Sequence, residues 1–594
     1  MEVRNLPRST KLCLAVYELT PSNIKGKSKT SSVSADDVIR NPIAWVNTSV
    51  YDYKGHLKGG SMTLYCWNLF EEQLGDCEIP YPLGTVVSNP NHERALSITL
   101  TFTKYLGSTT IVFPGKEVIF ASCPRMHKED MATPSFQDQE ELRQIADRDP
   151  LIELHEQERK KLWTYKYFCK NNIPNILSKL LQCVEWGNNA EVAEMLALLE
   201  EWPKLPVDRA LELLDYAYAE PSVRNFAIDC LSHMSDDDLL LYLLQLVQAL
   251  KHENYLYCDL VQFLLQRALR NRRIGHFLFW HLRSEMHVAS VSIRFGLILE
   301  AYCRGSIEHM KLLQKQVEVF GKFKVLQDVV RESKGVRERA IASLQEAMND
   351  ESMETALSNF LNPIEPTYRI LEVKVEKCKT MDSKMQPLWL VFGNSDPHGK
   401  DIYLLYKRGD DIRQDMLTLQ MIRIMDKIWK DHGLDLRLNP YRCLSTDYKE
   451  GVIEVVHNAQ TIANIQRQKG IFSATCPFRK TSLLDWLKEH NKTPKNLDTA
   501  IHEFTLSCAG YSVATYVLGI ADRHNDNIMI MPNGQLFHID FGHILGHFKE
   551  KFGIRRERQP FVLTHDFVYV IQKGKDSESE SFKEFENYCE RVNI

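Results

Sequence analysis

The chain lacks several features that would mark its class at once. Its 14 cysteines are scattered from Cys13 to Cys589 with no Cys-x-x-Cys pair, which excludes the usual zinc spacing and a disulfide framework and suits a reducing compartment. No run approaches the ~18 apolar residues that a membrane span requires. The first residues, MEVRNLPRS, lack the apolar core of a signal peptide. A dominant sign of charge is missing too: 73 Lys and Arg stand against 78 Asp and Glu, a formal net charge of −5. So small a balance excludes both a nucleic-acid coat and a disordered acidic chain, and any charged partner must be met locally. These absences lead us to expect a cytoplasmic protein with no nucleic-acid partner, whose only contact with a membrane is at its surface.

What is present is ordinary globular material, 44% hydrophobic and 25% charged over 594 residues, enough for roughly three or four domains. Residues 1–122 alternate apolar and polar in short runs (LCLAVYEL, AWVNTSVYDY, SMTLYCWNL, ALSITLTFT, TIVFPGKEVIF) between Gly, Pro, Asn and Ser clusters, the pattern of an antiparallel β-sandwich. Residues 123–148 are polar and read as a linker. From 149 to 305 the period becomes helical, with Ser235 as an N-cap before Asp236, Asp237 and Asp238, and helix–turn–helix pairs of this kind stack as an α-solenoid. From 306 to 594 helices mix with strands: DIYLLYKRGDD and GVIEVV read as strands, MLTLQMIRIMDKIWKDHG as an amphipathic helix ended by Gly433, and TAIHEFTLSCAGYSVATYVLGI as a long helix. Two lobes joined near IEVV are the economical interpretation.

Between that long helix and the next apolar run lies GIADRHNDNIMI, six polar side chains between apolar anchors. Asn527 follows Asp522 by five residues, and Asp540 follows it by eighteen, within LFHIDFGHI. That is the parts set of a phosphoryl-transfer enzyme that binds ATP through metal ions. Mg²⁺ takes hard oxygen ligands, and one Asn carbonyl with one Asp carboxylate leaves positions for phosphate and water. Such an enzyme also needs a strand lysine and a hinge strand. Lys407 ends the run IYLLYK, and Glu454-Val455-Val456 lie on the strand between the lobes.

The stretches KRGDDIRQDMLTLQ, GLDLRLNPYRCLS, IEVVHNAQTIANIQ, SCAGYSVATYVLGIADRHNDNIM and LFHIDFGHILG resemble the catalytic subunits of class I phosphoinositide 3-kinases, and the likeness runs over nearly the whole chain. HILG, FGIRRER and MDSKMQPLWLV look most like the beta form. The resemblance implies a multidomain fold: a partial C2 β-sandwich (1–122), a linker (123–148), an α-solenoid helical domain (149–305), and an α+β two-lobed kinase domain (306–594) with an incomplete C-lobe. It implies that Lys407 contacts ATP phosphates, Ser383 sits in the phosphate loop, and Glu454 and Val456 offer backbone groups to adenine. Asp415 and Tyr441 would line the inner pocket over Met529 and Ile539. Asn527 and Asp540 would hold Mg²⁺, Asp522 would belong to the catalytic loop, His524 would stabilise the transferring phosphate, and His543 would be the base or proton relay for the inositol hydroxyl. Lys549, Lys551, Arg555, Arg556 and Arg558 would meet the headgroup phosphates, favouring phosphatidylinositol 4,5-bisphosphate. Glu153 and Glu156 would meet a Src-homology module of a regulatory subunit.

The resemblance thus implies an ATP-dependent kinase for the 3-hydroxyl of phosphoinositides in growth-factor signalling, recruited from the cytoplasm to the plasma membrane. Three departures stand against it. Ala521 replaces a glycine that precedes Asp-Arg-His, a distorting change if the backbone there has positive φ. The adaptor- and Ras-binding domains do not precede the C2 region, and the chain stops after FENYCERVNI, before further C-lobe helices and a membrane-binding tail. The alternative is therefore a catalytically impaired truncated isoform that binds the regulatory subunit, with the apolar face of the last helix (Phe582, Phe585, Cys589, Val592) left without partners.

Overall fold

In a computed structural model of the chain, the described residues are 3–21, 38–68, 86–103, 110–121, 132–333, 337–383, 385–468, 480–546, 550–551, 554–555, 559–576 and 579–592. Alternation in the first hundred residues becomes two ladders: β1 (Lys11–Pro21), β2 (Val38–Ser49), β3 (Gly60–Tyr65), β4 (Trp67–Asn68) and β5 (Ser97–Phe102) pair antiparallel in the orders β1-β2-β4 and β3-β5. Their inward side chains meet in one core, where Ala44, Val46, Leu64 and Cys66 are buried and Leu14, Val16, Ile98 and Leu100 pack against them. The outward side chains of β3 and β5 are polar, with Ser61 facing Thr101 and Thr63 facing Thr99.

Two segments differ from the sequence expectation. The run TIVFPGKEVIF is not a strand throughout, because Lys116–Ala121 is a helix. Pro114-Gly115 interrupts the extended run, and the Gly115 carbonyl accepts the N–H groups of Val118 and Ile119. The polar stretch read as a linker also contains a helix, Phe136–Asp147, started by a capping box between Ser135 and Asp138 and burying Leu142, Ile145 and Ala146.

Helical periodicity after residue 149 becomes packed helices. Ser235 accepts the N–H of Asp238 at the start of Asp236–Ala249. Asn271 caps Arg272–Arg283, whose Ile274, Leu278 and Trp280 are buried. The contacts divide the chain into residues 1–306 and 307–594. Within the first unit Arg8 joins the β-rich part to the helices: it donates to the Tyr255 hydroxyl at 2.9 Å and to the Asp52 carbonyl at 2.7 Å.

The second unit begins with the helix Ile307–Glu332 and a seven-stranded antiparallel sheet. Its strands are β6 (Phe360–Leu361), β7 (Arg369–Val373), β8 (Lys379–Thr380), β9 (Leu388–Asn394), β10 (Ile402–Arg408), β11 (Cys443–Asp447) and β12 (Glu450–Glu454), in the order β11-β12-β10-β9-β7-β6 with β8 also on β9. Between β10 and β11 runs the helix Ile412–Asp431, capped by Asp411 and followed by Gly433 at φ +75°. Beyond the hinge, β13 (Gln460–Thr461), β14 (Ile528–Ile530) and β15 (Leu536–His538) form a small sheet against the long helix Pro494–Val517. Short strands β16 (Glu550–Lys551) and β17 (Ile554–Arg555) pair in the segment that follows.

The last helix, Glu580–Arg591, departs from expectation. Phe585 and Val592 are buried in the same core as the long helix, and Phe582 and Cys589 pack against it. The apolar face expected to lack a partner has one. Among the described residues, no helix is long and apolar enough to cross a membrane.

Candidate active site

Lys407 lies at the end of β10, opposite Gly451 of β12. Its ammonium is 2.7 Å from the Asp410 carboxylate. Burial opposes that charge, but the bond to Asp410 and the nearby carboxylates of Asp540 and Asp415 outweigh it and raise the ammonium above the usual lysine value. Gly409, at φ +116°, then turns the chain onto the Asp411 N-cap, a conformation that favours glycine. The Met385 sulfur lies against this turn. Ser383 is therefore on an exposed loop, between β8 and β9, that leans on the residues just past Lys407.

Asp415 lies in the first turn of the helix Ile412–Asp431 and is 6% exposed. It accepts the Phe541 N–H at 3.0 Å. Burial, with help from Asp540, pushes its carboxyl up to about 6 against the opposing effects of that N–H, Lys407 and Arg523.

The long helix ends at Val517, and the loop that leaves it turns at Gly519 and Asp522, both at φ +55°. Ala521 is not at positive φ. It is buried, and its N–H donates to the His543 carbonyl at 2.9 Å, so an alanine fits here without the distortion that positive φ would bring. Asn527 is buried; its side-chain amide donates to the Asp522 backbone carbonyl at 2.9 Å, and its own backbone carbonyl accepts the Ile539 N–H at 2.9 Å. Those bonds tie the Asp522 loop to the strand leading to Asp540, which is exposed and left-handed at φ +61°. The amide end of Asn527 is spent on Asp522, so its side-chain oxygen is the end available to a ligand.

His524 is exposed, and its Nδ1 accepts the Asp526 N–H at 3.3 Å, which places the proton of the neutral ring on Nε2. Sequence reasoning assigned no task to Arg523, although it stands in the Asp-Arg-His run. The structure shows its guanidinium donating to the carbonyls of Ala521 (2.9 Å), Ile539 (2.8 Å) and Asp540, above the Phe541 ring. Asp410, the partner of Lys407, was missed as well. Its signal was the acid pair in RGDD.

Tyr441 is buried and stacks on Phe541 with ring centres 6.5 Å apart. Burial holds its hydroxyl well above the usual phenol value, opposed by the Asp540 N–H facing it. Val456, Met529 and Ile539 pack together against the core that contains Tyr441. Glu454 pairs with Arg442 twice: its N–H donates to the Arg442 carbonyl and its side-chain carboxylate accepts the Arg442 N–H, both at 2.8 Å. The hinge strand is thus fixed by its own side chain.

The expected phosphate-binding segment is only partly described. Lys549, Arg556 and Arg558 lie outside the described residues, and for Lys551 and Arg555 the strand pairing of β16 and β17 is described. Among the described residues, no group of three or more His, Cys, Asp and Glu side chains could hold a metal. Asn527 and Asp540 are a two-oxygen set, which fits a hard ion that takes its other ligands from phosphate and water.

Residues 1–97 match the family model "Phosphoinositide 3-kinase C2", 130–315 match "Phosphoinositide 3-kinase family, accessory domain (PIK domain)", and 401–593 match "Phosphatidylinositol 3- and 4-kinase". Two of these models describe phosphoinositide 3-kinase domains, and the third describes the 3- and 4-kinases together. Among relatives, the chain is 40% identical to phosphatidylinositol 3-kinase 1 of Dictyostelium discoideum, over 99% of this chain and 36% of the relative. It is 38% identical to phosphatidylinositol 3-kinases 2 and 3 of the same organism, over 99% and 98% of this chain and 32% and 33% of theirs. The chain thus spans about a third of the length of the curated relatives it matches. They are Dictyostelium enzymes and do not single out a beta form. The Lys407 strand and the Asp522–Asp540 segment both fall in the part matched by the kinase model. In the part matched by the accessory model, Glu153 and Glu156 are exposed, and Glu156 pairs with Lys160 at 2.8 Å.

Proposed function

We propose that the chain is an ATP-dependent lipid kinase that transfers a phosphoryl group to the 3-hydroxyl of the inositol ring of phosphoinositides. The observation that carries this reading is the convergence of Lys407, Asp415 and Asp540 where the seven-stranded sheet meets the Asp522–Asn527 loop. Lys407, held charged by carboxylates, takes the ATP phosphates. The backbone of Glu454 and Val456 faces adenine, above a floor of Met529 and Ile539, and Ser383 closes over the phosphates from its loop.

Asn527 and Asp540 would hold Mg²⁺, and the ion would supply positive charge to offset that of the transferring phosphate. His543 removes the proton from the 3-hydroxyl, the oxygen attacks the γ-phosphorus, and the bond to the ADP oxygen breaks. His524 donates through Nε2 to the phosphoryl oxygens as that bond changes hands. The basic segment from Lys549 to Arg558 favours the 4,5-bisphosphorylated lipid, because each added phosphate gains a charge-assisted partner. Glu153 and Glu156 offer an acidic surface to a regulatory subunit with Src-homology domains. On this reading the protein is cytoplasmic, is recruited to the plasma membrane in growth-factor signalling, and stands nearest the class I enzymes, with HILG and FGIRRER pointing to the beta form.

The test is to incubate the purified chain with labelled ATP and vesicles containing phosphatidylinositol or its 4,5-bisphosphate, then determine the position of the new phosphate. The expected product carries it on the 3-hydroxyl, with faster turnover of the bisphosphate. A chain that binds ATP and the regulatory subunit but labels no lipid would instead support the sequestering role.

A further inference from the structure

The kinase reading gives Asp540 a task but does not say what keeps it in place. Its backbone is left-handed, at φ +61°, a conformation that a side chain with a β-carbon holds only when its surroundings impose it. The surroundings here are specific. Arg523 donates to the Asp540 carbonyl, and Asp415 accepts the Phe541 N–H at 3.0 Å. That carbonyl and that N–H belong to a single peptide unit. A guanidinium therefore grips one end of the plane and a carboxylate the other. Turning the plane by half a revolution would aim the carbonyl at the carboxylate and the N–H at the guanidinium, which is unfavourable at both ends.

Arg523 extends the grip through its remaining donors, to the carbonyls of Ile539 and of Ala521 in the catalytic loop. Asp415 comes from a different element, the helix that follows the Lys407 strand, and is 6% exposed. A carboxylate is costly to bury unless its hydrogen-bonding capacity is used, and this one is spent on the backbone beside Asp540.

We propose that Asp415 and Arg523 are positioning residues that lock the Asp540–Phe541 peptide plane and thereby aim the Asp540 carboxylate at the metal–phosphate group. The proposal rests on the kinase reading above and deepens it: Asp415 acts through the backbone of a metal-holding residue, beyond lining a pocket.

The test uses the full 594-residue chain with Asp415→Leu, Asp415→Asn, Arg523→Met and Arg523→Lys, beside a thermal melt. Two measurements are made: amide exchange at Phe541, which needs no nucleotide, and the affinity of a fluorescent ATP analogue with and without Mg²⁺. Asp415→Leu removes the acceptor and should speed Phe541 exchange at least tenfold. It should also abolish most of the Mg²⁺-dependent gain in affinity. Asp415→Asn keeps an acceptor oxygen and should restore both. If Leu or Met variants fail to fold, Arg523→Lys decides, because Arg523 reaches its three carbonyls from three separate nitrogens of a planar fork, a spread that a single compact ammonium does not reproduce: the Mg²⁺ concentration at half effect should rise at least threefold.

Unchanged exchange and unchanged Mg²⁺ dependence in a folded variant would overturn the lock while leaving the kinase reading intact. A wild-type chain that binds no Mg²⁺–nucleotide would overturn the kinase reading and, with it, the assigned purpose of the lock. Phe541 exchange would still report whether the peptide plane itself is held.

Discussion

Each of the two compact units gathers a cluster of charge around a buried charged side chain, Arg224 in the first and Asp415 in the second, and the clusters are finished differently. In the first unit Arg224 donates Nε to Glu253 at 2.8 Å, with Nη2 in ion-pair range of the same carboxylate at 2.7 Å, and donates Nη1 to the carbonyls of Asp215 and Tyr218. Arg294 reaches the carbonyls of Tyr255 and Glu253 at 2.8 and 2.6 Å. Charge there is matched and closed off, which suits a joint between helices. In the second unit the carboxylates of Asp410, Asp415 and Asp540 crowd the Lys407 ammonium, and Asp522 and Asp540 are held in left-handed backbone. Burial alone identifies neither cluster as functional. What separates them is surplus acid at one and completed pairing at the other.

The largest effects should come from breaking each cluster once. Arg224→Met strands Glu253 in the interior, and removing one partner of a buried pair costs about 3–5 kcal/mol; a fall in the melting temperature checks it. Lys407→Arg should do the reverse, leaving the melt within about 2 °C while lipid phosphorylation drops about a hundredfold or more, because a forked guanidinium cannot take the place of a compact ammonium. Undiminished turnover would remove Lys407 from the site.

A smaller effect should sharpen the comparison from inside the first unit, where Glu220 is the poorly matched exception. Burial pushes its carboxyl up to about 7, against the Ser222 N–H and Arg8. The folded state therefore holds the proton more tightly than the unfolded chain does. Stability from this group is complete below the usual carboxyl value and declines as pH rises through about 7. Glu220→Gln should match wild type at acid pH and exceed it by up to about 3 kcal/mol near pH 8, as read by denaturant melts at both pH values.

Next in size, replacing Lys549, Lys551, Arg555 and Arg556 together by Ala should slow turnover of the bisphosphorylated lipid about tenfold more than that of phosphatidylinositol. Equal loss on both would mean that the segment serves the fold or membrane attraction. The smallest effect is expected at the surface: Glu153→Lys with Glu156→Lys should leave the thermal melt unchanged, as exposed pairs do, while weakening capture of a Src-homology module measured by titration.

Much of this was legible in the sequence because it rests on short-range pattern. Alternation marked β1 to β5, amphipathic spacing and Gly433 marked most of the helix Ile412–Asp431 and its end, and the spacing of Asp522, Asn527 and Asp540 marked the loop. Where periods compete, pattern fails: Val118, Ile119 and Phe120 fit a strand as readily as a helix until Pro114-Gly115 is weighed. The capping box at Ser135 was readable and was passed over because its surroundings are polar. The partners of backbone atoms leave no pattern at all. That Asp410 meets Lys407, or that Arg523 spends itself on carbonyls, depends on segments brought together only by folding. The last helix shows the same limit, since its seat lies on a helix far back along the chain.

The hinge strand has a consequence for resistance to inhibitors. Glu454 turns its carboxylate onto the Arg442 backbone, so on the proposed reading a molecule placed where adenine sits would meet peptide groups there and no side chain. A substitution at Glu454 cannot remove those groups; it can only loosen the strand that presents them, and so would weaken ATP and a competitor together. Escape from such a competitor should arise instead at Val456, Met529 or Ile539, partly buried side chains packed against the core that on the same reading line the site, where bulk can be changed against one occupant without equal cost to the other.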